Sequence, residues 1–182
     1  MTEDYFTRGE KEFLLKIART ALEKIVSAGE KYEPQTVNQK LWEKYGVFVT
    51  LTRNGNLRGC VGYTEPIEPL ILAIRDNTIS ATRDSRFEPI ERGELEEIKI
   101  EISILGELEP IIFNNIEKGD GVVIKNGDRG ATYLPQVWDE LPDKKEFFES
   151  LCQKAGLDEE DYLNREMEFW KYSVVKFGED RF

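Results

Sequence analysis

The residues best equipped for chemistry in this chain are gathered in Leu57-Arg58-Gly59-Cys60-Val61-Gly62, where a cation, a thiol and two glycines fall within one short stretch. The nucleophilic form of cysteine is the thiolate, and a nearby cation favours it, so Arg58 and Cys60 read as a candidate catalytic pair. Glycine lets a backbone approach a ligand or another strand with no Cβ in the way, which adds Gly59 and Gly62 as candidate ligand contacts. The competing reading is equally physical. Free cysteine is commonly a small buried packing group, and the glycines then serve close packing. From the residues alone both readings stand.

What is missing bounds the chemistry further. The chain has no histidine, which excludes Ser-His-Asp and Cys-His catalysis and His-ligated metal sites built from its own residues. No metal site is expected, and carboxylates, thiols, Lys and Tyr remain as titratable groups. Glu65, Glu88 and Glu101 are candidate general bases, unranked by the sequence. Arg58, Arg75, Arg83, Arg86, Lys125 and Arg129 stand out in an acidic chain, and a small anionic or nucleotide-like ligand is a reasonable guest for several of them. Ordinary surface pairing with Glu65, Glu68, Asp76, Asp84 and Glu88 is the alternative. Arg86 is the exception, since its loop lies between two apolar elements. Neither GxxxxGK[ST] nor GxGxxG occurs, so phosphate-loop and dinucleotide fingerprints are absent. Cys152 lies beside an apolar helical stripe and reads as core, and Trp42, Trp138 and Trp170 read as packing groups.

These residues need elements to position them. Thr7-Arg8-Gly9-Glu10 fits a capping box, and Phe13, Leu14, Ile17, Ala21, Leu22 and Ile25 recur at helical spacing until Gly29. From Val47 the period changes to two: Val47, Val49 and Leu51 alternate with Phe48, Thr50 and Thr52, and Asn54-Gly55-Asn56 turns the chain into the hexapeptide. A three-residue loop pairs Arg53 with Leu57, Thr52 with Arg58, Leu51 with Gly59, Thr50 with Cys60 and Val49 with Val61. That register puts Arg58 and Cys60 on one polar face with Thr50 and Thr52, and sends Val49, Leu51 and Val61 into the core. Pro66 opens a helix running to about Arg83, whose small and polar far half, from Asn77 to Thr82, permits close approach of a backbone or ligand. Ile98, Ile100, Ile102 and Ile104 mark a half-buried strand. Val122–Ile124 and Ala131–Leu134 form a hairpin whose loop carries Lys125 and Arg129. Pro142 opens a further helix ending at Gly156, a short acidic helix spans Asp158 to Asn164, and Phe169 to Phe177 is a final strand. Strands and helices interleave without a regular βαβ rhythm, so the fold class is α+β, a mainly antiparallel sheet with flanking helices.

A chain of 182 residues fits one domain in two lobes. Its 25 Lys and Arg against 36 Asp and Glu give a net charge of −11, which opposes attachment to polyphosphate or to an anionic membrane. Nucleic acid is therefore the least favoured partner. The two cysteines form no metal-ligand or CxxC pattern, which suits a reducing, cytoplasmic compartment. Thr2, Glu3 and Asp4 show neither signal nor transit peptide, and no apolar run approaches the ~20 residues that span a bilayer.

The hexapeptide resembles the LRGCIG signature of the AMMECR family. The likeness extends through Asn77, Asp84-Ser85-Arg86-Phe87, Glu101-Ile102-Ser103-Ile104-Leu105 and Leu134-Pro135-Gln136-Val137, covering essentially the whole chain. Val61 replaces the usual Ile, Ser85 stands where Pro is expected, and Thr78 and Ser80 stand where alanines are common. The resemblance implies one AMMECR-type domain over residues 1–182 with two unequal subdomains and a cleft at the hexapeptide. It implies Memo-like and radical-SAM proteins as partners and names no reaction or cofactor. With the residue pattern, it makes Cys60 and Arg58 the candidate catalytic residues and Thr50, Thr52, Gly59, Gly62, Asn77 and Arg86 the candidate ligand contacts.

Overall fold

Helix α1 (Arg8–Ala28) begins where Thr7 and Glu10 close the expected capping box and ends at Gly29, whose φ of 69° is the left-handed stop that glycine adopts without strain. In the computed structural model, which describes residues 5–181, it is followed by strands β1 (Val47–Arg53) and β2 (Asn56–Tyr63), helix α2 (Leu70–Ala81) and strands β3 (Ile98–Leu105) and β4 (Glu109–Pro110). Next come β5 (Gly121–Asn126), β6 (Arg129–Tyr133), helices α3 (Val137–Glu140) and α4 (Lys144–Lys154), and strands β7 (Glu168–Tyr172) and β8 (Val174–Gly178). Thr2, Glu3 and Asp4, on which the absence of a leader was read, lie outside the described residues. Among the described residues no helix is long and apolar enough to cross a membrane.

The fold is α+β. The described residues divide into a larger unit, comprising residues 5–105 and 175–181, and a smaller one from Gly106 to Val174. In the larger unit the strands run in the order β2-β1-β3-β8. Strand β1 lies antiparallel between β2 and β3. Val47, Val49 and Leu51 of β1 and Ile98, Ile100, Ile102 and Ile104 of β3 are buried, as their alternation predicts. Leu14, Ile17, Ala21 and Leu22 of α1 and Leu70, Ile71, Ala73 and Ile74 of α2 complete that core. Val61 is only half-buried, because β2 is the sheet's edge strand.

Helix α2 starts later than Pro66 suggests. A residue before proline is pushed out of the helical region, and the second proline, Pro69, is extended at φ −56° and ψ 140°, so the first helical residue is Leu70 and Ile67 is exposed. Helix α4 likewise waits for Asp143, whose Oδ1 accepts from the amides of Lys145 and Glu146. It opens after Pro142 rather than at it.

The smaller unit holds a second antiparallel sheet in the order β4-β7-β5-β6. Its core is aromatic: Trp138 stacks on Phe147 at 3.8 Å, and Phe148, Leu151, Cys152 and Phe169 fill in around them. Lys125 and Arg129 belong to strands β5 and β6 rather than to their loop, since Asn126 pairs with Arg129 across a tight Gly127-Asp128 turn. The expected final strand is two strands, parted at Ser173 and belonging to different sheets. Phe169 and Tyr172, three residues apart within β7, are buried on opposite faces of that strand.

Candidate functional site

The hexapeptide's geometry is set by the turn before it. Asn54 and Gly55 both have positive φ, 51° and 80°, which makes a two-residue type I′ turn. Pairing therefore opens with Arg53 opposite Asn56 and Thr52 opposite Leu57, not with the three-residue loop that puts Arg53 opposite Leu57. A β-bulge then absorbs the difference, leaving Arg58 outside the ladder, and the expected pairs resume at Leu51 with Gly59, Thr50 with Cys60 and Val49 with Val61. The register is corrected at Arg58 and unchanged at Cys60.

Arg58, turned out of the ladder, is fully engaged. Its Nε and Nη2 bond the two oxygens of Glu94, each at 2.9 Å, while Nη1 donates to the Glu88 carbonyl at 2.6 Å and Nη2 also to that of Pro89 at 3.2 Å. Glu94 is buried and also accepts from Arg53 and from the Glu91 amide. The Arg58 guanidinium, foremost, holds the Glu94 carboxyl below the usual carboxylate range. The cation expected to bias the thiol is thus neutralised by a carboxylate.

A different cation stands at Cys60. Asp84, also buried, accepts from the Cys60 amide at 2.9 Å. Arg86 Nε and Nη2 bond the same carboxylate at 3.0 and 2.6 Å, and Nη2 reaches the Cys60 carbonyl at 3.3 Å. The Cys60 amide is free to do this because it faces away from β1 at the sheet edge, so the 84–87 loop covers part of an edge that would otherwise offer unpaired backbone groups. Arg86, foremost, keeps the Asp84 carboxyl far below the usual range. In turn the Asp84 carboxylate, with a lesser contribution from Cys60, raises the pKa of Arg86. The Arg86 side chain is 55% exposed. Cys60 is half-buried as a residue, and its thiol lies 3.4 Å from the Thr50 hydroxyl.

Thr50 is also opposite Glu101 of β3, and Glu101 pairs with Lys176 of β8 at 2.8 Å. Cys60, Thr50, Glu101 and Lys176 therefore form a polar row across the outer face of the sheet. Of the three candidate bases only Glu101 shares that row, about two strand spacings, or ~10 Å, from Cys60. Thr52 lies one pair along the same face, opposite Lys99.

The other candidate ligand contacts belong to packing. A Cβ on Gly59 would lie 2.2 Å from the Ala81 carbonyl oxygen, and one on Gly62 2.3 Å from that of Val47. Asn77 is buried and its Nδ2 donates to the Val47 carbonyl at 3.3 Å, bracing β1 from α2. The structure thus gathers Cys60, Thr50 and Arg86, with Thr52 alongside. It sets Arg58, Gly59, Gly62 and Asn77 among groups that hold the hairpin against its neighbours. Sequence reasoning overlooked Glu94 and treated Asp84 as a surface partner. The two-residue spacing of Asp84 and Arg86 allows a side chain to bond a nearby amide, whereas no local signal marks Glu94.

The AMMECR1 family model matches residues 15–177, nearly the full span of the elements just described. The chain belongs to the AMMECR1 family. Among its relatives, protein MK0488 of Methanopyrus kandleri is 38% identical over 96% of this chain and 90% of its own length. A protein of Methanothermobacter thermautotrophicus is 37% identical over 96% of both. The crystal structure of uncharacterized protein PH0010 from Pyrococcus horikoshii superimposes with a TM-score of 0.86 at 35% identity, covering 93% of this chain and 91% of that one. Within this chain the LRGCVG hairpin and the Asp84-Ser85-Arg86-Phe87 loop meet at the main chain of Cys60.

Proposed function

We propose that this AMMECR1-family protein is a cytoplasmic enzyme that binds a small anionic ligand at the edge of the β1-β2 hairpin, with Cys60 as the reactive thiol and Arg86 as the ligand's cation. The supporting observation is that Arg86, its side chain more than half exposed, donates to the Cys60 carbonyl while the thiol of the same residue lies 3.4 Å from the Thr50 hydroxyl. Thr50 and Thr52 line the adjoining polar face, and Arg58 acts by fixing the bulge rather than by meeting the ligand. Native alkylation tests the reading, using anionic iodoacetate and neutral iodoacetamide. Cys152 is wholly buried, so labelling is expected at Cys60 alone, with a preference for iodoacetate that Arg86→Gln abolishes. Labelling with no preference would remove the anion site, and a thiol that reacts only after unfolding would remove the nucleophile.

A second reading makes the chain a non-catalytic assembly module acting with Memo-like and radical-SAM proteins. Its support is the mutual satisfaction of Arg58, Glu94, Asp84 and the Cys60 main chain, which suits a rigid junction. Here Cys60→Ser would leave partner assembly intact.

A further inference from the structure

The smaller unit carries a groove that the thiol reading does not use. It has a volume of about 520 Å³ and is lined by Ile112, Phe113, Met167, Phe169 and Trp170 together with Glu168, the one charged residue of the lining. Ile112, which lines the groove, is 64% exposed.

The floor is preformed. Phe113 packs edge-on against Phe148 at 4.9 Å and lies against Tyr162 and Phe169 at 5.3 and 5.8 Å. Lys144 fastens the same turn, its ammonium 4.6 Å from the Phe113 ring centroid and bonded to the carbonyls of Phe113 and Ile116. An occupant would therefore meet a rigid aromatic surface and would have little side-chain ordering to impose on it.

Two features identify the occupant. The first is charge. The span from Gly106 to Val174 has eight Lys and Arg against 16 Asp and Glu, a net of −8, so the unit that carries this groove holds most of the chain's −11. An apolar segment flanked by cations complements it. The second is the backbone. The sheet edge beside the groove is β4, only two residues long, and Pro110 within it has no amide to offer. Such an edge resists strand addition, so recognition must run through side chains, as it does when an amphipathic helix lies in an apolar groove.

We infer that this groove is a docking site for an amphipathic helix of a partner protein, apolar on one face and basic on its flanks. This goes beyond the proposed thiol site and stands or falls apart from it.

Calorimetric titration of the full chain with a synthetic 18-residue Leu/Lys amphipathic helix tests the inference, with the same peptide carrying Glu for Lys as the counter-probe. The Lys peptide is expected to bind, the Glu peptide not to bind, and Ile112→Asn to weaken binding about tenfold, the effect of losing one interface anchor. Because Ile112 is exposed, that variant should keep the wild-type melting temperature, and Glu168→Gln should reduce the salt dependence of binding. Undiminished affinity in Ile112→Asn would overturn the inference by showing general adhesion to an acidic surface. Equal binding of the Glu peptide would overturn the charge argument. A wild-type dimer in sedimentation that Ile112→Asn converts to monomer would overturn it too, since a second copy would then fill the groove.

Discussion

Glu94 receives three guanidinium bonds while only 12% of its side chain remains exposed. A carboxylate in that position stabilises the fold only while ionised. Its folded pKa lies below its unfolded value, so its contribution is complete above the ordinary carboxylate range and is lost as pH falls through the folded value. Glu94→Gln is therefore expected to cost about 2 kcal/mol at neutral pH, the scale of hydrogen bonds to a charged partner. The gap from wild type should close in acid, where wild type loses the same charge. Urea denaturation of both proteins from pH 7 down to pH 2.5 checks this, and a gap independent of pH would assign the loss to shape instead of charge. Glu10 follows the same sign. Burial opposes its ionisation, but bonds from the Thr7 amide, Asn38 and Lys40 outweigh that and bring it to about 2.

At the scale of elements, the hairpin depends on how closely α2 approaches β2. Gly59 faces the Ala81 carbonyl, a backbone atom that cannot swing aside, so Gly59→Ala is expected to destabilise the larger unit by about 1–3 kcal/mol through overpacking. Gly93, with nothing near its missing Cβ, is the control and should tolerate alanine. Differential scanning calorimetry of the two variants separates close approach from a general glycine effect. Much of this architecture was legible in the residues. The capping box at Thr7, the stop at Gly29, the isoleucine alternation of β3 and the Thr50–Cys60 pair all follow from local chemistry. What could not be read was decided by tertiary geometry. The Asn54-Gly55 pair specified a shorter turn than the pairing argument assumed, and the bulge at Arg58 reconciled that turn with burial of Leu51. Arg58 was expected to serve the thiol because the two are neighbours in sequence. Glu94, 36 residues away, takes it instead.

For the molecule as a whole, charge and topology divide along the same line. The span from Gly106 to Val174 holds most of the negative charge and all of the apolar groove, whereas the thiol row belongs to the four-stranded sheet of the larger unit. The amide of Gly106 donates to the Ser173 carbonyl at 2.8 Å, so the first and nearly the last residue of the smaller unit are one hydrogen bond apart. Strands β3 and β8, which lead into and out of it, are neighbours in the larger sheet. Replacing residues 107–172 with a short glycine-containing turn should therefore leave β2-β1-β3-β8 intact, giving a protein with one cooperative melt and a Cys60 that alkylates at the full-length rate. An unfolded or aggregated product would show that the larger unit needs its insert. If the product folds, the chain is a host with a detachable cassette: its acidic unit can be exchanged, grafted elsewhere or left to diverge at its own pace, because the host registers only that the two ends of the cassette meet.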